Sequence, residues 1–213
     1  MEKITGMEAA QDVPAKVLLI YDAVEHLIKE GQDLNTVKVS TITEKAGIGK
    51  GTAYDYFDSK DDLIACALLF QIRKMCGELA NAISRVDSFG EKIHFLLNEI
   101  EQKKGRRQSF LRLVHVLTEN NGYCQLVRQK MSSEEFQKSM PAKRFDSIVK
   151  EAIARGEIKP EFPSEYVISS IASRMFLYMV YFCCEGCFSV NPTVLRPYIY
   201  NGLMEELCVN PKV

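Results

Sequence analysis

The stretch from Ala46 to Leu63 constrains this chain more than any other: Ala-Gly-Ile-Gly-Lys-Gly-Thr-Ala-Tyr-Asp-Tyr-Phe-Asp-Ser-Lys-Asp-Asp-Leu. It spells a tight turn at Gly47, one short helix, a second turn and the start of a longer helix. The short helix sets small residues (Gly49, Gly51, Thr52, Ala53) beside cationic and phenolic ones (Lys50, Tyr54, Tyr56, Lys60). Small residues let another surface approach the backbone closely. Lysine and tyrosine donate hydrogen bonds to phosphate oxygens, contacts that fix position rather than sequence. A helix of this build, backed by another short helix, is what a helix-turn-helix presents to a major groove.

The residues before it supply the rest of such a unit. Pro14 suits a first helical turn. Val17, Ile20, Tyr21, Val24, Leu27 and Ile28 then recur at helical spacing on one buried face, and Gly31 ends the helix. A second, short helix turns Val39, Ile42 and Ala46 inward, with Thr36 as its expected N-cap. Phe57 is expected in the three-helix core, and Asp58 or Ser59 caps the next helix. Residues 1–12 read as a flexible arm.

The motif resembles the DNA-binding segment of the tetracycline-repressor (TetR) family of bacterial regulators. That family shows a pattern close to A-G-[IV]-[SG]-K-G-[ST]-x-Y-x-[HY]-F-x-[ST]-K-[DE]-x-L, matched here at almost every fixed position from Ala46 to Leu63. By residue identity the resemblance covers roughly the first quarter of the chain. It implies DNA contacts from Gly49, Lys50, Gly51, Thr52, Tyr54, Tyr56 and Lys60. The family commonly carries a hydroxyl pair where this chain has Val37 and Lys38, so Lys38 stands in as a cation. Thr43 replaces the usual Ala. Residues 49–56 hold no Arg, Asn or Gln, the strong base readers. Specificity is therefore expected to come partly from paired half-sites and DNA shape.

Charge gives no global announcement of a polyanionic partner. The net charge is −1, and residues 1–63 hold seven Lys, no Arg and twelve Asp or Glu. The basic footprint must be local, at Lys38, Lys50 and Lys60. Seven cysteines, an odd number, and a polar start of mixed charge fit a reducing cytoplasm with free thiols rather than a secreted disulfide framework. The longest apolar run, Met175 to Cys184, is ten residues and too short to span a bilayer, so no membrane is expected.

The remaining chain reads as helices over about 59–86, 91–104, 108–119, 123–131, 133–155 (interrupted near Pro141), 164–186 and from about 192. The fold class is all-α: an N-terminal three-helix helix-turn-helix domain over 13–60, then a helical ligand-binding and dimerisation domain over 61–213. Residues 175–182 are apolar on nearly every side, which predicts burial all round, one face on the chain's own domain and the other on something else. The last helix carries its own apolar stripe. Two such helices make half of a four-helix bundle, which a two-fold partner completes. Met175, Met179, Leu195, Tyr198, Ile199 and Leu203 are the expected dimer interface. The resemblance implies the same homodimer, with recognition helices roughly 34 Å apart on a near-palindromic operator.

Apolar helices with polar tips nominate Phe110, His115, Tyr178 and Phe182 for an effector pocket, with plain core packing as the competing reading. Gly47-x-Gly49-x-Gly51 is not a Walker loop, because Gly51 separates Lys50 from Thr52. No nucleophile–base order or paired-carboxylate pattern argues for an enzyme, and no motif calls for a cofactor or a metal. The expected function is a ligand-responsive transcriptional regulator, a repressor released from its operator by a small hydrophobic effector. The alternative is a helical thiol or metal sensor using Cys183, Cys184 and Cys187.

Overall fold

The computed structural model describes residues 3–105, 107, 111, 118–140, 142–184 and 188–209. Among these there is no strand, only one isolated antiparallel bridge between Ile158 and Cys208. The helices are α1 (Ala15–Lys29), α2 (Val39–Lys45), α3 (Lys50–Tyr56), α4 (Lys60–Ile83), α5 (Phe89–Gln102), α6 (Gly122–Met131), α7 (Glu134–Ser139), α8 (Ala142–Ala154), α9 (Ser164–Cys183) and α10 (Pro192–Leu207). The all-α expectation holds. The helix read over 108–119 falls largely outside the described residues.

Two compact units divide the chain. One takes Met1–Met75 and Leu113–Met140, the other Cys76–Arg112 and Pro141–Val213. This differs from the contiguous split at residue 60. The reason is burial: Tyr123, Cys124 and Val127 of α6 and Phe136 of α7 join the same apolar cluster as α1 to α4.

In the first unit, α1 buries Val17, Ile20, Tyr21, Ala23, Val24 and Leu27. Tyr21 packs against Phe70 and Phe57, with ring centroids 5.0 and 6.2 Å away. Burying an aromatic side chain of this size contributes about 1.5–3 kcal/mol. Two expectations are corrected here. Residues 3–12 are not a free arm over their length: Ile4 lies in the core and its N–H donates to the Tyr56 carbonyl at 3.0 Å. Thr36 does not cap α2. Asp33 organises that loop, taking the Asn35 N–H at 2.9 Å on its carboxylate and the Thr36 hydroxyl at 3.0 Å on its carbonyl, and Lys38 becomes the N-cap residue.

In the second unit, Ser88 and Glu91 form a reciprocal capping box that starts α5. Phe89, Ile93, Leu97 and Ile100 of α5 pack with Val149 and Ala152 of α8, Val167, Met175, Tyr178 and Met179 of α9, and Leu203, Met204 and Leu207 of α10. Lys159 N–H donates to the Leu207 carbonyl at 2.9 Å, tying the 156–163 linker to the end of α10. Within one chain α9 is two-sided: Met175, Tyr178 and Met179 face the core of their own unit, and Leu177 is 56% exposed.

Candidate nucleic-acid interface

The helix-turn-helix is built from behind. Val39, Ile42 and Thr43 anchor α2 in the core. Gly47 then makes the turn at φ 67°, a left-handed conformation that a side chain resists. The Ile48 N–H reaches back to the Thr43 carbonyl at 3.0 Å and closes the end of α2. On α3, Ala53 and Tyr56 are buried, as is Phe57 just after it. These three stand at i, i+3 and i+4, so they share one side of the helix.

The opposite side is free. Gly49, Lys50, Gly51 and Tyr54 are exposed, and Thr52 is half-buried. A Cβ added at Gly51 would meet nothing within 4 Å. The Lys50 ammonium lies 5.9 Å from the centre of the Tyr54 ring, which is 43% exposed. This one-turn cation–π pair holds both donors on the same ridge. Lys38, at the start of α2, is also exposed.

Two residues of the expected contact set are placed otherwise. Tyr56 is taken up by the core. The Lys60 ammonium donates to the carbonyls of Asn35 at 2.6 Å, Val37 at 3.2 Å and Leu34 at 3.3 Å. Neighbouring lysines are engaged as well: Lys3 with Asp58, Lys29 with Glu25, and Lys45 with Glu30. Among the described residues up to 63, Lys16, Lys38, Lys50 and the carbonyl-bound Lys60 carry no ion pair. Lys38 is the N-cap residue of α2 and Lys50 opens α3, so the local basic footprint is small.

The expected effector and dimer residues lie in the other unit or outside the described residues. Phe110, His115 and Cys187 are outside them. Tyr178 is fully buried and its hydroxyl donates to Glu101 Oε1 at 2.6 Å. Arg196 pairs with Glu101 Oε2 at 2.8 Å. Phe182 meets Tyr178 edge-on at 5.2 Å, and the Arg107 guanidinium lies 5.1 Å over its ring. Phe182 also lines an open cleft of about 370 Å³ with Tyr181, Phe188 and Val190. Among the described residues no group of three or more His, Cys, Asp or Glu side chains is arranged to hold a metal.

Of the residues assigned to the dimer interface, Met175, Met179 and Leu203 are corrected: they are buried within their own unit. Leu195 and Ile199 are half-buried, and Tyr198 is 73% exposed. Sequence reasoning missed Tyr166, Leu177 and Val194, which are exposed and apolar. Tyr166 and Leu177 stand eleven residues apart. At 3.6 residues per turn, eleven residues bring the chain back to within about 20° of the same face. That spacing was readable. α9 has 20 residues and is long and apolar enough to cross a membrane by length and composition. Its Arg174, however, is paired with Glu206 of α10.

Comparison with known proteins bears on the same segment. The family described as bacterial regulatory proteins, tetR family, matches residues 20–66. An HTH-type transcriptional regulator of Staphylococcus aureus (strain MRSA252) is 30% identical over 66 residues, 31% of this chain and 35% of the relative. The chain thus spans about a third of the length of the curated relative it matches. Among solved structures, the transcriptional regulator FadR from Bacillus subtilis in complex with stearoyl-CoA is similar, with TM-score 0.62 and 21% identity over 88% of this chain and 97% of that one. The fatty acid degradation regulator FadR from Bacillus halodurans aligns with TM-score 0.62 and 16% identity over 91% and 96%. At these identities the likeness establishes the fold.

Proposed function

Residues 20–66 are those of the tetR family of bacterial regulatory proteins, and from that premise we propose that the protein is a ligand-responsive transcriptional regulator, a repressor that leaves its operator when an effector binds. The observation that carries the reading is the two-sided build of α3. Ala53, Tyr56 and Phe57 root it in the core, and Gly49, Lys50, Gly51 and Tyr54 are presented outward. Lys38, Lys50 and Tyr54 hold phosphates, the glycines admit the groove edge, and Thr52 reaches a base edge. Residues 13–60 are the DNA-binding part; the second unit, with α5 and α8 to α10, receives the effector and dimerises.

The active species is a cytoplasmic homodimer. Tyr166, Ser173 and Leu177 form one outward stripe on α9, and Val194 and Tyr198 another on α10. A second copy covers both as a four-helix bundle. It sets two α3 helices about one DNA turn apart on a near-palindrome. The effector releases DNA by favouring a dimer geometry that does not fit the operator. Its class is hydrophobic, in keeping with Tyr178, Phe182 and their apolar surroundings, and with the stearoyl-CoA held by the B. subtilis regulator. The reading assigns the chain no reaction.

The test is selection of bound fragments from a random DNA pool at near-physiological salt, with Tyr54→Ala in parallel. An enriched near-palindrome, lost in the variant and released by a long-chain acyl-CoA, is the expected result. A folded, dimeric wild type that enriches nothing refutes the reading.

A further inference from the structure

We infer that residues 3–8 form a strap that positions the recognition helix from behind, with Lys3 as a positioning residue for DNA binding rather than a DNA contact. The inference rests on α3 being the DNA-facing helix, as proposed above.

Helix α3 has only seven residues and no side-chain N-cap. A helix this short does not hold its shape alone, and the last carbonyls of any helix need partners. The strap supplies them. The Lys3 ammonium donates to the carbonyls of Tyr54 at 2.8 Å and Phe57 at 3.1 Å, and pairs with Asp58 at 3.2 Å. The Ile4 N–H donates to the Tyr56 carbonyl between them, and the Ile4 side chain is buried. Cationic donors at a helix C-terminus also oppose its negative end.

The strap is itself fixed at its far end. Glu8 accepts from Thr5 N–H, Thr5 Oγ1 and Gly6 N–H at 2.7, 2.9 and 3.1 Å, closing residues 5–8 into a tight loop. Arg73 of α4 donates to the carbonyls of Gly6 and Glu8 at 3.2 and 3.0 Å. Lys130 of α6 bridges the Thr5 carbonyl at 3.2 Å and the Asp62 carboxylate at 3.1 Å. Gly6 has φ 83°, and a Cβ there would sit 2.8 Å from the Cys66 Cα. Only glycine lets the strap lie this close to α4. The strap therefore gives α3 a second attachment to α4 and α6, independent of the turn at Asp58-Ser59.

Two variants test this, Lys3→Ala and Gly6→Ala, each read in two ways. In the free protein, hydrogen–deuterium exchange of residues 50–57 should speed up at least tenfold in both. On the selected operator, Lys3→Ala should lose about tenfold in affinity while the slope of log affinity against log salt stays as in wild type. Were Lys3 a phosphate contact instead, the slope would shrink by about 0.9 for each phosphate lost; that result, or unchanged exchange of α3 in Lys3→Ala, overturns the inference. If Gly6→Ala does not fold, Lys3→Ala decides alone. If the wild type binds no DNA, the regulator reading fails, and the exchange measurement still decides the strap.

Discussion

The ammonium of Lys60, on the first turn of α4, lies 2.6 Å from the carbonyl oxygen of Asn35 in the loop before α2. With the carbonyls of Leu34 and Val37 it forms a three-point staple across the helix-turn-helix. A hydrogen bond from a charged donor contributes about 1.5–3 kcal/mol. Lys60→Met should therefore lower stability by about that amount in urea unfolding. The salt dependence of DNA binding should stay as in wild type. Unchanged stability together with a shallower salt slope would assign Lys60 to phosphate instead.

Few cations remain for DNA. Of the exposed lysines without an ion pair, only Lys38 and Lys50 stand at the starts of α2 and α3 among the described residues, which gives four in a dimer. Each phosphate neutralised contributes about −0.9 to the salt slope, so binding should show a slope of about −4. Lys38→Ala should reduce its magnitude by about 2 per dimer. Fluorescence anisotropy at several salt concentrations measures this, and a wild-type slope near −8 would mean that the contact set is incomplete.

The outward and inward residues of α9 should separate cleanly. Leu177→Glu places a charge on the exposed stripe, so it should leave helicity intact and shift the protein to monomers in sedimentation. Met179→Ala removes core volume and should cost about 2–5 kcal/mol in stability while the dimer persists. A dimeric Leu177→Glu protein would move the interface elsewhere.

These assignments mark how far the sequence reached. The exposed placement of Lys50 and Tyr54 was legible because it follows from one contiguous motif. Tyr56 stands in the same motif, yet it shares the i, i+3, i+4 side of Ala53 and Phe57, and that spacing predicts burial. The Ser88-x-x-Glu91 signature of the capping box at α5 is likewise a local sequence pattern. The apolar run of α9 hid its own orientation: with hydrophobic residues on every side, composition did not distinguish Leu177 from Met179. The partners of Lys3 and Lys60 lie twenty-three or more residues away. Such pairings depend on tertiary packing, and no local pattern encodes them.

Acid should loosen the second unit through two carboxylates. Burial alone would raise the Glu101 carboxyl, but the hydrogen bonds from Tyr178 and Arg196 together hold it below the ordinary glutamate value. Glu206 is alike: burial opposes, and Ser170, Arg174 and Tyr166 outweigh it. In each case the folded state releases its proton more readily than the unfolded chain. The contribution is thus complete above the unfolded value of about 4.3 and is lost as pH falls through the lower folded value. Thermal unfolding from pH 7 to pH 3 should show a wild-type decline concentrated below about pH 4.5. Glu101→Gln combined with Glu206→Gln should be less stable at pH 7, because Arg174 and Arg196 lose their charged partners. The same variant should fall less steeply in acid. An acid limb as steep as that of the wild type would place the titrating groups elsewhere.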